Sequence, residues 1–146
     1  MNTSSVQIEC LIQKLEELLP LYMQNEDDRN LTNGNVAVCI IDESGSVYGK
    51  IFSNGNKIRA RESYRVAWTK ASQVWLTGMK TGEYEKKIFN GEINERIAGI
   101  NKPDLIGWEG GQPIRLKDGT KFSVGFSGFR GISDLDIVLK ALEQID

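Results

Sequence analysis

The sequence predicts an α+β domain built on a mostly antiparallel sheet. Two hairpin patterns, one on each side of a long helical pattern, carry that prediction, and amphipathic helices at both ends supply the covering layer. The chain has 146 residues, a length at which a compact fold buries about 68–70% of its unfolded surface, so one domain over 1–146 is expected.

Residues 5–23 open the chain with Ile8, Leu11, Ile12, Leu15, Leu18, Leu19 and Tyr22 at the spacing of one helical face. Pro20 is expected to kink or end that helix. Glu26 to Asn35 is polar and reads as a loop. The continuous apolar run Val36–Ile41 is short enough for a strand buried on both faces. Asp42-Glu43-Ser44-Gly45 makes a turn, with the Asp42 side chain capping its backbone. Val47–Phe52 returns as the second strand of an antiparallel hairpin. A second helix spans about 59–77, where Ala67 and Ala71 let it lie close to a sheet and Trp68 and Trp75 fill its flanks as core. Gly78 terminates it. A shorter helix covers about 82–90, and 91–108 is irregular, with Pro103 arguing against one long helix there. Ile114-Arg115-Leu116, the turn 117–120, and Phe122, Val124 and Phe126 on one face form the second hairpin. The last helix starts at Ser133, whose hydroxyl caps it with Asp136 three residues on, and Val138, Ala141, Leu142 and Ile145 form its apolar stripe.

Composition excludes several functions. With no histidine, Ser–His–Asp and Cys–His catalysis, most catalytic zinc sites and the commonest protein ligand of haem iron are unavailable. No metal site is proposed from the residues. A net charge of −2 gives no attraction to nucleic acid or anionic membrane. No apolar run approaches the roughly 18 residues of a membrane span, and the N-terminus shows no secretory pattern, so a cytoplasmic protein is expected. Cys10 and Cys39 are read as reduced, packed thiols.

Seven of the 15 glycines fall between residues 107 and 131. Gly125-x-x-Gly128-x-x-Gly131 reads either as strand-end turns or as a backbone cradle for an anion, with Arg130 adding charge. It is neither the G-x-x-x-x-G-K-[ST] loop nor the dinucleotide fingerprint G-x-G-x-x-G. Gly110-Gly111-Gln112-Pro113 either starts the hairpin or lines a pocket mouth. Lys70 is read as a lysine snorkelling to a solvated helix face, with carboxylate binding as the alternative. The candidate ligand-binding set is Lys70, Gly110, Gly111, Pro113, Gly125, Ser127, Gly128 and Arg130.

In order, these segments resemble the GlcG/HbpS family, the haem-binding-like domain also found at the C-terminus of some corrinoid adenosyltransferases. The resemblance rests on VAVCIIDESGSV, on Ala67-Trp68-Thr69-Lys70-Ala71, on Gly110-Gly111-Gln112-Pro113-Ile114 with Asp118-Gly119 and Val124-Gly125-Phe126-Ser127-Gly128, and on the helix start Asp134-Leu135-Asp136. It spans about 5–145. It implies an α/β sandwich of about five antiparallel strands, a homo-oligomer, and a pocket near the Gly-Gly-x-Pro and Gly-x-Ser-Gly segments with haem or corrinoid as the candidate ligand. The chain departs from many haem binders in lacking histidine, so iron would be held by Tyr, Cys, Met, a hydroxyl such as that of Thr120, or water, or not at all. The leading expectation is therefore a small-molecule-binding protein for haem or a related tetrapyrrole. An enzyme acting on a small carboxylate held by Lys70, Arg130 and Gly-rich backbone, and an oligomeric accessory protein without chemistry, are the alternatives.

Overall fold

The computed structural model describes residues 3–94 and 106–146. Its elements run α1 (Thr3–Tyr22), α2 (Glu26–Thr32), β1 (Val36–Asp42), β2 (Val47–Phe52), α3 (Lys57–Thr77), α4 (Thr81–Phe89), β3 (Gly111–Arg115), β4 (Lys121–Ser127) and α5 (Gly131–Ile145). The strands form one antiparallel sheet in the order β2-β1-β4-β3. The sandwich is as expected, but the described residues give four strands where about five were expected. The Pro103 expectation lies outside the described residues.

Alternation along β1 and β4 decides what covers each face. Val36, Val38 and Ile40 join Phe122, Val124 and Phe126 in a core closed by Ile8, Leu11 and Leu15 of α1 and Ile137, Val138 and Ala141 of α5. Ala37, Cys39 and Ile41 face the other way, onto Ala67 and Ala71 of α3. Both faces of β1 are covered, which is why its sequence is a continuous apolar run rather than an alternating one.

The seat of α3 is set by an absent side chain. A Cβ on Gly125 would lie 2.1 Å from the Ala67 carbonyl oxygen and 2.6 Å from the Ala71 nitrogen. Helix and sheet backbones therefore approach closely here, with two alanines and a glycine between them. The tryptophans on the flanks are not core. Trp68 and Trp75 are each 48% exposed and Trp108 is 69% exposed.

Local signals account for both ends of α3 and for the start of α2. Asn56 accepts a hydrogen bond from Arg59 N (3.1 Å), and Gly78 closes α3 at φ 72°. The Asp42 carboxylate accepts from Ser44 N and Ser46 N, each at 3.0 Å, as the turn requires. Pro20 neither ends nor breaks α1, which continues to Tyr22; the proline is exposed in the last turn, where the carbonyl it leaves free can meet water. The expected polar loop contains α2, whose N-terminus is capped by Asn25 accepting from Asp28 N (3.1 Å). Three acidic residues in its first turn suit the helix dipole. α5 begins two residues before the expected Ser133, which does not cap it and is used elsewhere.

Candidate functional site

At the end of β4 the chain turns sharply through Gly128 into α5, and a cavity of about 530 Å³ opens between that corner, α2 and α3. Gly128 holds φ +133°, and a Cβ there would lie 2.4 Å from Val36 Cγ1. Both facts demand glycine: the backbone conformation excludes side chains, and the neighbour leaves no room. The Gly128 carbonyl is held by Thr32 Oγ1 (2.9 Å), which ties α2 to the corner.

Two buried carboxylates brace this wall. Asp28 on α2 accepts from Arg130 N and Arg130 Nε, each at 3.0 Å, and from Ser133 Oγ at 2.7 Å. Burial works to raise its pKa, but the hydrogen bonds from Arg130 and Ser133 prevail and hold it below the usual carboxylate range. The Arg130 side chain is 42% exposed, so its guanidinium is fixed on one side and open to the cavity on the other.

Asp134, in the first turn of α5, accepts from Phe129 N (2.9 Å) and from Lys70 Nζ (3.3 Å). Lys70 Nζ also donates to the Phe126 carbonyl at 2.9 Å. Lys70 is thus not a snorkelling surface residue. Its side chain is 2% exposed, and its position between Ala67 and Ala71 on the sheet-facing stripe of α3 drives it inward. Burial pushes the Asp134 carboxyl up to about 7, against the attraction of Lys70, and pushes the Lys70 ammonium down, against the attraction of Asp134.

Of the residues singled out from sequence, Lys70, Ser127, Gly128 and Arg130 line this cavity together. Gly110, Gly111 and Gly125 are not among its lining residues and sit at close packing contacts. A Cβ on Gly110 would lie 2.6 Å from Lys70 Nζ, and one on Gly111 would lie 2.5 Å from Thr81 Cγ2. Pro113 belongs to a different cavity, of about 550 Å³, beyond the C-terminal end of α3. Sequence reasoning did not find Asp28 or Asp134 as partners, nor Arg59 and Glu62, which line the cavity from α3.

The profile of the HbpS-like haem-degrading protein family matches residues 21–143. The chain belongs to that family. The fold of this HbpS-like chain is shared with a PduOC–haem complex at a TM-score of 0.68 and 17% identity, over 98% of this chain and 93% of that one. The Klebsiella pneumoniae protein ORFY gives 0.68 and 16% over 96% and 88%. A double mutant of Streptomyces reticuli HbpS gives 0.59 and 16% over 94% and 85%. At such identities the likeness is one of fold. A search of curated proteins finds no match.

The cavity fits part of what a haem presents. Leu31, Val66, Trp108 and Phe129 offer apolar surface, and Arg59 and Arg130 offer cations for carboxylates. An iron ligand of the usual strength does not fit, since the described lining residues bring carboxylates, hydroxyls and the engaged Lys70 but no imidazole, thiol, thioether or phenol. Thr120 precedes β4 and lies at the opposite end of that strand from Ser127. The Tyr22 hydroxyl is tied to Asp136 at 2.6 Å, that of Tyr64 faces Cys39 Sγ at 3.8 Å, and both phenols are raised above their ordinary pKa, first by burial. Cys39 is buried and its thiol is pushed up to about 11, while Cys10 is exposed, which corrects the expectation of two packed thiols. Among the described residues no group of three or more Cys, Asp or Glu side chains is placed to hold a metal ion.

Proposed function

We propose that this protein is a cytoplasmic, homo-oligomeric small-molecule-binding protein, and that the cavity at the β4–α5 corner takes haem or a related tetrapyrrole, corrinoid included, without histidine ligation. The observation that carries this reading is the pairing, in one cavity of about 530 Å³, of an apolar wall with Arg59 and Arg130. Membership in a haem-degrading family and the fold shared with a PduOC–haem complex support the choice of ligand. A bound haem would supply iron chemistry. This chain would supply apolar contact, exclusion of water from one side of the ring, and pairing of the propionates with guanidinium groups. Arg130 is suited to that role because Asp28 already fixes its orientation, so less freedom is lost when a second carboxylate arrives. In this reading Lys70 braces the wall through Asp134, while Ser127 and Gly128 line the cavity floor. Association of copies is supported by half-exposed Trp68 on α3, and light scattering reads it directly. No described helix is long and apolar enough to cross a membrane.

A second reading, an enzyme or binder for a small carboxylate, is favoured by the same two arginines near the N-terminus of α5. Hemin titration of tag-free protein separates the two. A saturable Soret change that lacks the low-spin bis-imidazole spectrum, and that weakens in Arg130→Gln, supports the first. No saturable change, with a small acid retained in native mass spectrometry, supports the second. Neither result in a well-folded protein leaves an accessory protein without chemistry of its own.

A further inference from the structure

β4 reads Lys121-Phe122-Ser123-Val124-Gly125-Phe126-Ser127, and every second residue from Lys121 faces α3. The α3 backbone lies directly against this row at Gly125. The two serines therefore lie on either side of the helix contact, Ser127 opening into the cavity described above and Ser123 into the second one, of about 550 Å³. Nothing in the proposed function uses this second cavity.

We propose that the second cavity binds a planar aromatic monocarboxylate. Its wall is the exposed face of Trp75, a rigid surface because the indole Nε1 donates to the Asp42 carbonyl at 3.0 Å. Ile41, Val74 and Pro113 continue the apolar lining. A fixed indole beside an apolar floor favours a flat, unsaturated ligand that can stack. The polar groups point to its charge. Arg115 and Lys121 are cross-strand partners on the same face of β3 and β4, and neither has an ion pair or hydrogen bond among the described residues that would compete for its side chain. The Ser123 hydroxyl also makes no hydrogen bond to a described residue. Two cations and a hydroxyl suit one carboxylate.

The acidic rim limits that charge to one. Asp42 is consumed by its turn, but Glu43 lies at the cavity edge. Arg115 is two strands from β1, about 10 Å at the usual strand spacing, so a carboxylate seated there is kept from Glu43, whereas a phosphate dianion would meet stronger repulsion.

The test is equilibrium dialysis of tag-free full-length protein against 2-naphthoate, with neutral 2-naphthamide as the comparison. The expected result is saturable naphthoate binding that Arg115→Gln/Lys121→Gln weakens about tenfold or more, the range of one or two charge-assisted hydrogen bonds. Trp75→Leu is expected to weaken naphthoate and naphthamide alike, and Arg130→Gln in the first cavity to leave both unchanged. Trp75, Arg115, Lys121 and Arg130 are all exposed, and circular dichroism checks that each variant is folded. Absence of saturable binding overturns the proposal. So does equal affinity for amide and carboxylate, or binding that Arg130→Gln abolishes and the double variant does not. The proposed haem site uses Arg130 and not Arg115, so either reading can fail while the other stands.

Discussion

Replacing Lys70 by Met keeps most of the side-chain volume and removes the cation paired with Asp134, whose carboxyl is 3% exposed. Two consequences separate with pH. At pH 6 Asp134 is largely protonated in both proteins, because burial pushes it up to about 7 even with Lys70 present. The variant then loses mainly the donor to the Phe126 carbonyl and the bond to Asp134, about 1–3 kcal/mol. Without Lys70 the folded-state pKa rises further, since the attraction that opposed burial is gone. Above pH 7 the native variant keeps a proton that the wild type releases, and the unfolded carboxyl, near 3.9, is ionised in both. A raised folded pKa stabilises at low pH and loses that contribution as pH rises through it. The variant therefore falls behind the wild type by about 1.4 kcal/mol per pH unit until its own pKa is reached. The depressed Lys70 pKa in the wild type acts in the same direction. At pH 8.5 the deficit is expected to reach about 3–5 kcal/mol, the range for breaking a buried ion pair. Urea unfolding at the two pH values measures it. Lys70→Met/Asp134→Asn, which keeps an acceptor for Phe129 N, is expected to remove the pH dependence and to be the more stable variant at pH 8.5. An equal deficit at both pH values, or a larger one at pH 6, refutes the reasoning.

Gly128→Val is expected to cost about 2–6 kcal/mol, combining backbone strain with overpacking against Val36, whereas Gly55→Ala, also at positive φ but with open space around it, costs about 1–2; equal urea midpoints would contradict this. Gly125→Ala is expected to destabilise by about 1–3 kcal/mol or more, because the methyl meets α3 backbone rather than a movable side chain, and unchanged stability would show that the helix seat is softer than described. Asp28→Asn is expected to cost about 1–3 kcal/mol at pH 7 by weakening the bonds to Arg130 and Ser133. Because the folded-state pKa of Asp28 is depressed, its contribution is present above the unfolded carboxylate pKa and lost as pH falls through the folded value. The acid limb of the stability curve should therefore be shallower in Asp28→Asn, as an acid titration followed by circular dichroism can read.

What was legible in the sequence was local. Apolar periodicity places α1, α3 and α5, and turn residues place both hairpins, because those signals act within a few positions. Lys70 shows where such reading goes astray. The large tryptophans draw attention to the flanks of α3, yet its sheet-facing stripe is Ala67, Lys70, Ala71 and Val74, the i, i+3, i+4, i+7 pattern of small residues with one lysine at its centre. Small size, not hydrophobic mass, marks a helix seated directly on a glycine. α2 carried its own signals, an Asn cap and three acids, but seven residues are too few for apolar periodicity to support them. The pairs that build the site, Asp28 with Arg130 and Lys70 with Asp134, span 102 and 64 positions and left no local trace.

The contact at Gly125 is flanked by two further ties between α3 and the sheet layer, Ser63 Oγ to the Asn35 carbonyl at 2.7 Å and Trp75 Nε1 to the Asp42 carbonyl at 3.0 Å. The helix is about 31 Å long and is pinned towards both ends as well as near its middle. The spaces at Ser127 and Ser123 lie on either side of the central contact, so each keeps its own height. A ligand entering one of them meets a wall that the other does not share.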